Sequence, residues 1–81
     1  MYLSVDMPQS HRYKVFENNT TESLELVVAV DTDAGYIVYY KRHDHDKKIV
    51  CAYVHGSKTW VPLPFIKWGN FRLEKRSDAD V

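Results

Sequence analysis

Several residue types are scarce in this 81-residue chain, and each shortage excludes a class of protein. A single cysteine leaves no intramolecular disulfide and no four-cysteine zinc site. Eleven Lys and Arg balance eleven Asp and Glu, so the chain lacks the basic excess of a protein that relies on phosphate contacts. No apolar run approaches the roughly 20 residues of a membrane helix. Since no secretory signal pattern is present either, we expect a cytoplasmic protein without a membrane partner.

The length of the chain limits it to one small domain. A folded chain of 9.5 kDa buries only about 63% of the surface that it exposes when unfolded. We expect a single β domain over residues 1–76 and a frayed C-terminal tail over residues 77–81. Pockets of about 300 Å³ or more are hard to house in so small a domain. We therefore expect a protein that is not an enzyme and that holds no cofactor.

Apolar residues recur with a period of two over most of the chain, which predicts strands rather than helices. Residues 24–30 carry one apolar file that we expect to face the core, made of Leu24, Leu26, Val28 and Val30. Turn-forming residues at 31–35 (DTDAG) predict a tight connection to the next strand. The same pattern predicts further strands at 13–16, 36–40, 49–54, 59–61 and 71–74.

Pro62 and Pro64 cannot donate ladder hydrogen bonds, so residues 61–64 must lie at an edge or leave the sheet. Residues 65–68 (FIKW) then fit one short 3₁₀ or helical turn before the last strand. Five to six short strands and only three glycines favour an all-β, mainly antiparallel SH3-like barrel, which limits exposed sheet edges. An open sheet of four or five strands is the alternative, because the sequence does not decide closure.

The histidine-rich segment at 43–46 (HDHD) is the one candidate for metal chemistry. In an extended segment His43 and His45 share a face, and His55 or His11 could add a third ligand. Two ligands do not make a site, so a solvated hairpin tip is the favoured interpretation and we assign no metal ligand. Metal binding through His43 and His45, and pH sensing by the same imidazoles, remain alternatives.

Aromatic residues make up 14% of the chain, and their placement is more informative than their number. In residues 36–40 (YIVYY) both strand faces carry tyrosine, so at least one ring lies away from a single core. Aromatic rings beside Lys and Arg are typical of a binding face, although cross-strand aromatic pairs also stabilise sheets without a partner. The predicted partner-binding residues are Tyr36, Tyr39, Tyr40, Arg42, Lys48, Trp60 and Trp68.

Two partner classes fit these residues. A protein partner, or a second copy of the chain in a homodimer, is the preferred one, because aromatics and arginine are enriched at protein interfaces. Nucleic acid is the alternative, since aromatics stack on bases and flanking cations neutralise phosphates. The balanced net charge and the lack of an RNA-binding signature place it second.

The spacing of YIVYY at 36–40, of WVPL at 60–63 with Phe65, and of FRL at 71–73 resembles short SH3-like β-barrel proteins of unassigned function that phages and prophages encode. The resemblance spans residues 36–73. It implies a compact β fold and an accessory protein that docks on a host or phage macromolecule, as an inhibitor or modulator would. It transfers no catalytic or binding residue to this chain.

Overall fold

The computed structural model describes residues 1–76, which form eight strands and one 3₁₀ helix. In chain order the elements are β1 (Tyr2–Ser4), the 3₁₀ helix (Pro8–Arg12), β2 (Tyr13–Glu17), β3 (Val27–Asp31), β4 (Tyr36–Tyr39), β5 (Cys51–Val54), β6 (Thr59–Pro62), β7 (Phe65–Trp68) and β8 (Phe71–Lys75). Every strand pairing is antiparallel. The predicted antiparallel β class is confirmed, and the predicted frayed tail lies outside the described residues.

The strands of residues 1–76 form three separate sheets and do not close into the predicted barrel. One sheet has four strands in the order β1-β3-β4-β7, while β2 pairs with β8 and β5 pairs with β6. Closure would require the two edges of the large sheet, β1 and β7, to be bridged by further strands. Instead β2 and β8 pair with each other, so both edges stay open.

The core lies between one face of the four-stranded sheet and the β2–β8 ribbon. Leu3 is paired with Val30, and Val30 is paired with Ile37, so these three side chains share one face of the sheet. Phe71 of β8 packs against them, and all four are buried. Burial of a side chain of this size contributes about 1.5–3 kcal/mol, so this small cluster is the main source of stability.

A bulge in β3 explains why the predicted apolar file is wrong in its middle. The register shifts between Val27 and Ala29, which inserts one extra residue and reverses the alternation. Leu24 and Val30 belong to the core cluster as expected, but Val27 joins it in place of Leu26 and Val28. Leu26 has a left-handed backbone with φ of 59°, so regular strand alternation begins only after it.

Residues 65–68 form strand β7, so the helical turn predicted there is wrong. The segment pairs with β4 along its whole length, because aromatic and β-branched residues suit a strand and β4 offers a free edge. The 3₁₀ helix lies instead at Pro8–Arg12, ahead of β2. Pro8 suits its start, since proline has a fixed φ and lacks the N–H that has no partner there.

The β2–β8 ribbon is held in place by Arg72. Its guanidinium donates hydrogen bonds to the carbonyl of Glu17 at 3.1 Å and to that of Thr20 at 2.6 Å, and it lies 4.7 Å from the ring centre of Phe16. A third bond, at 2.7 Å, reaches the carboxylate of Glu74. One side chain therefore ties the loop after β2 to the ribbon that covers the core.

The predicted turn at residues 31–35 is confirmed, and it depends on two glycines. The Asp31 carboxylate accepts backbone hydrogen bonds from Asp33 and Ala34, and Gly35 closes the turn with φ of 83°. The Gly69 N–H donates to the Gly35 carbonyl at 2.9 Å. A Cβ atom on Gly35 would lie 2.9 Å from the Gly69 carbonyl oxygen, so a side chain fits neither the backbone angle nor the space.

Replacement of Gly35 by alanine should therefore destabilise the domain. We expect Gly35→Ala to lower the free energy of unfolding by about 1–3 kcal/mol, through left-handed strain and the clash with Gly69. Gly56→Ala is the matched control, because no atom lies within 4 Å of the added Cβ and its effect should stay within about 0.5 kcal/mol. Urea denaturation followed by circular dichroism measures both; equal effects of the two substitutions would contradict this account.

Candidate interaction surfaces

The four-stranded sheet has a second face, opposite the core, which we call the outer face. Cross-strand neighbours on one face form rows, and two rows lie on this side of the sheet. One row runs through Tyr2, Asp31, Tyr36 and Trp68, and the other through Ser4, Ala29, Val38 and Ile66. The outer face is therefore aromatic and aliphatic, and the carboxylate of its one acidic residue caps the turn that follows β3.

The β7 end of the outer face is strongly exposed. The relative exposure of Trp68 is 69% and that of Ile66 is 60%. The rings of Tyr36 and Trp68 meet edge to face, with centroids 5.3 Å apart. These side chains lie on a regular strand pairing, so their backbones are fixed while their apolar surface faces solvent.

Lys67 sets the direction of its two neighbours. It pairs with Ile37, which is buried on the core face, and its ammonium reaches the Glu17 carboxylate of β2 at 2.9 Å. Glu17 raises the pKa of Lys67 above its ordinary value of 10.5, first by accepting a hydrogen bond and second by its negative charge. Because side chains alternate along a strand, the anchoring of Lys67 turns Ile66 and Trp68 to the outer face.

A second surface is the segment of residues 41–63, which we call the arm. It contains the β5–β6 hairpin and a shorter pairing of Arg42 with Ile49. The Val50 N–H donates to Lys41, and the Leu63 N–H donates to Val50, so the two pairings are continuous. Every residue of the arm is exposed except Ile49, Val50 and Ala52.

The arm carries its own aromatic cluster. Tyr53 and Trp60 are cross-strand partners with ring centres 5.3 Å apart, and the His55 ring contacts Tyr53 edge-on at 5.0 Å. Trp60 is 68% exposed. A two-stranded hairpin is marginally stable alone, and the Tyr53–Trp60 contact is one cross-strand pair that supports it.

The predicted partner-binding residues fall into separate groups. Tyr36 and Trp68 lie together on the outer face, whereas Tyr39 packs against the core cluster and Phe65. Tyr40 is half-buried. The other three belong to the arm: Arg42, Lys48 and Trp60.

Two of the exposed residues were not predicted. Ile66 of the outer face was missed because residues 65–68 were assigned to a helical turn, and strand alternation would have placed it beside Trp68. Tyr53 of the arm is not among the predicted binding residues, and the hairpin register pairs it with Trp60. The positions of Ile66 and Tyr53 both depend on which residues face each other across neighbouring strands.

The histidines do not converge. The rings of His43 and His45 lie 5.4 Å apart at the first turn of the arm, but His55 contacts Tyr53 and His11 lies in the 3₁₀ helix. Across residues 1–76, no group of three or more His, Cys, Asp or Glu side chains is placed to hold a metal ion.

A groove of about 570 Å³ lies between the 3₁₀ helix, β2 and the segment that leads into β3. The domain is therefore large enough for such a groove, contrary to the expectation from its size. The lining combines aliphatic residues such as Leu3 and Val15 with polar ones that include Ser10, His11 and Glu25.

Comparison with known proteins does not extend this description. No protein-family model, no curated protein and no solved structure matches the chain. Among residues 1–76, no helix has the length and apolar character needed to cross a bilayer.

The Lys67–Glu17 pair generates a prediction about pH. The pKa of Lys67 is higher in the folded state than its ordinary value, so the pair stabilises the fold below the unfolded pKa and is lost as pH rises through the folded pKa. We expect Lys67→Gln to lower the melting temperature at pH 7, and the difference from the unmodified chain to shrink as the pH rises beyond 10.5 and in 1 M salt.

Thermal denaturation of both proteins across this pH range measures the effect. Lys75→Gln is the control, because Lys75 is exposed on β8 and its replacement should give no difference that disappears at alkaline pH. A Lys67→Gln effect that stays constant from pH 7 to well beyond pH 10.5 would show that the ion pair is not its cause.

Proposed function

We propose that this chain is a non-enzymatic protein-interaction module whose docking surface is the outer face of the four-stranded sheet. The observation that supports this most directly is the exposure of Trp68 and Ile66 beside Tyr36 on one regular sheet face. Tryptophan and tyrosine are the residues that most often dominate protein interfaces. A partner that covers this face would have its own working surface blocked, which is how an inhibitor or modulator acts.

The exposed area supports binding over a purely structural role. A cross-strand pair of Tyr36 and Trp68 stabilises a sheet, but that role does not require both Trp68 and Ile66 to stay largely in solvent. By their relative exposures, Trp68, Ile66 and Tyr2 expose roughly 400 Å² of surface in total, which is comparable with the functional patches of small proteins. That is about half of what one partner contributes to a standard interface.

The chemistry of the face defines the partner. Its two rows present aromatic rings and aliphatic groups, and the Asp31 carboxylate is engaged in its own turn. A matching protein surface is therefore apolar at its centre with a polar rim. A second copy of the chain offers such a surface as well as a host or phage protein does, and cross-linking from position 68 separates these partners.

A photo-activated cross-linking residue at position 68 tests the proposal. We expect it to capture one defined protein from the source cells, identified by mass spectrometry. The same residue at Val5 should capture none, because Val5 is an exposed apolar residue at a backbone position off the two rows of the outer face. Capture of the chain itself would identify a homodimer.

The captured protein, once purified, allows a quantitative test. Trp68→Ala should weaken its binding by about 30-fold or more, the size of an interface hot spot, while the free energy of unfolding changes by less than about 1 kcal/mol. Val5→Ala should leave the affinity unchanged. Unaltered binding by Trp68→Ala, or capture of the same proteins from both positions, would refute the proposal.

A further inference from the structure

The charges of the chain are separated along its length, although their sum is zero. The arm contains five Lys and Arg against two Asp, a net charge of +3, whereas residues 1–40 contain two basic and six acidic residues, a net charge of −4. Salt screens charges over about 10 Å, so a bound anion responds to the local excess more than to the total. The arm is therefore the basic part of a neutral molecule.

The arm cations are available to an anion. In the described part of the chain, Lys47, Lys48 and Lys58 form no ion pair. Lys47 and Lys48 lie at the turn that begins the arm, and Lys58 lies in the turn between β5 and β6. The nearby Asp46 accepts a hydrogen bond from the Lys48 backbone, which engages one of the two arm carboxylates.

The aromatic cluster lies on the hairpin whose turn carries Lys58, and strand β5 leads to it from the turn that carries Lys47 and Lys48. Tyr53 and Trp60 occupy facing positions of the hairpin, and Trp60 exposes 68% of its surface. Exposed rings on a lysine-bearing segment are the combination that binds single-stranded nucleic acid, where bases stack on aromatics and cations neutralise the backbone. The outer face shares the exposed rings but has no free cation in its two rows.

We infer that the arm binds single-stranded nucleic acid, with a base stacked on Trp60 and phosphates held by Lys47, Lys48 and Lys58. This activity is separate from the proposed docking of a protein on the outer face, because it uses different residues. The two surfaces together would let one small chain contact a nucleic acid and a protein. Exposed aromatic rings and unpaired lysines on the same basic segment support this inference, and the net charge of the whole chain does not oppose it.

The two tryptophans of the chain give a direct readout. In a Trp68→Phe variant, Trp60 is the only tryptophan, and a 12-nucleotide oligothymidylate should quench its fluorescence saturably as a base stacks on the indole. In a Trp60→Phe variant, Trp68 should keep its fluorescence. Quenching of Trp68 alone, or no quenching of either in 20 mM salt, would overturn the inference.

Salt and substitution separate stacking from simple charge attraction. If three lysines contact phosphates, the logarithm of affinity should fall against the logarithm of salt with a slope near −2, and Lys48→Gln should reduce the slope by about 0.7. Lys75→Gln, outside the arm, should leave it unchanged. Trp60→Leu keeps an apolar side chain but removes the stacking ring, so affinity should fall about tenfold.

Two further ligands complete the experiment. Heparin carries negative charge without bases, and its binding should not respond to Trp60→Leu; equal effects of this substitution on heparin and oligothymidylate would overturn stacking. Duplex DNA of the same length should bind more weakly than the single strand. Tighter binding of the duplex would indicate a β-ribbon in the major groove and would also overturn the inference.

Discussion

The contact of Phe71 with Leu3, Val30 and Ile37 is the packing on which the rest of the structure depends. It places the β2–β8 ribbon on one face of the four-stranded sheet and thereby forms the core. The remaining described elements are one five-residue 3₁₀ helix and the arm. On the opposite face Ala29 is buried, but the β7 end stays open, with Trp68 and Ile66 largely exposed.

Because one side of β7 is covered and the other is open, strand alternation separates its buried residues from its exposed ones. Along β7, Phe65 and Lys67 belong to the covered side and Ile66 and Trp68 to the open side. The Lys67–Glu17 ion pair joins the sheet to the ribbon that covers the core, so this contact also fixes the side of β7 on which Ile66 and Trp68 are exposed. An exposed aromatic on a fixed strand loses little conformational freedom on binding, which is what favours it as an interface anchor.

Strand class and several strand positions could be predicted from the sequence, because a period of two is a local property. At two places, the β3 bulge and residues 65–68, the sequence did not predict which side chains face the core. The β3 bulge reverses the alternation at Val28, and no local pattern marks it. The sequence predicts a helical turn at residues 65–68, after the break at Pro62 and Pro64, whereas pairing with the free edge of β4 decides their conformation. The bulge and the conformation of residues 65–68 both depend on pairing with distant strands, which a single sequence does not specify.

The candidate surfaces show the same limit. Tyr36, Trp60 and Trp68 could be selected from residue type alone, yet their separation into an outer face and an arm depends on which strands pair. Composition was also misleading about charge, because a sum of zero conceals a basic arm of +3 beside an acidic N-terminal half of −4. Surface chemistry acts over about a Debye length, so a ligand meets each surface separately. In a chain with so small a core, the distribution of charge over the exposed segments therefore carries more functional information than the total does.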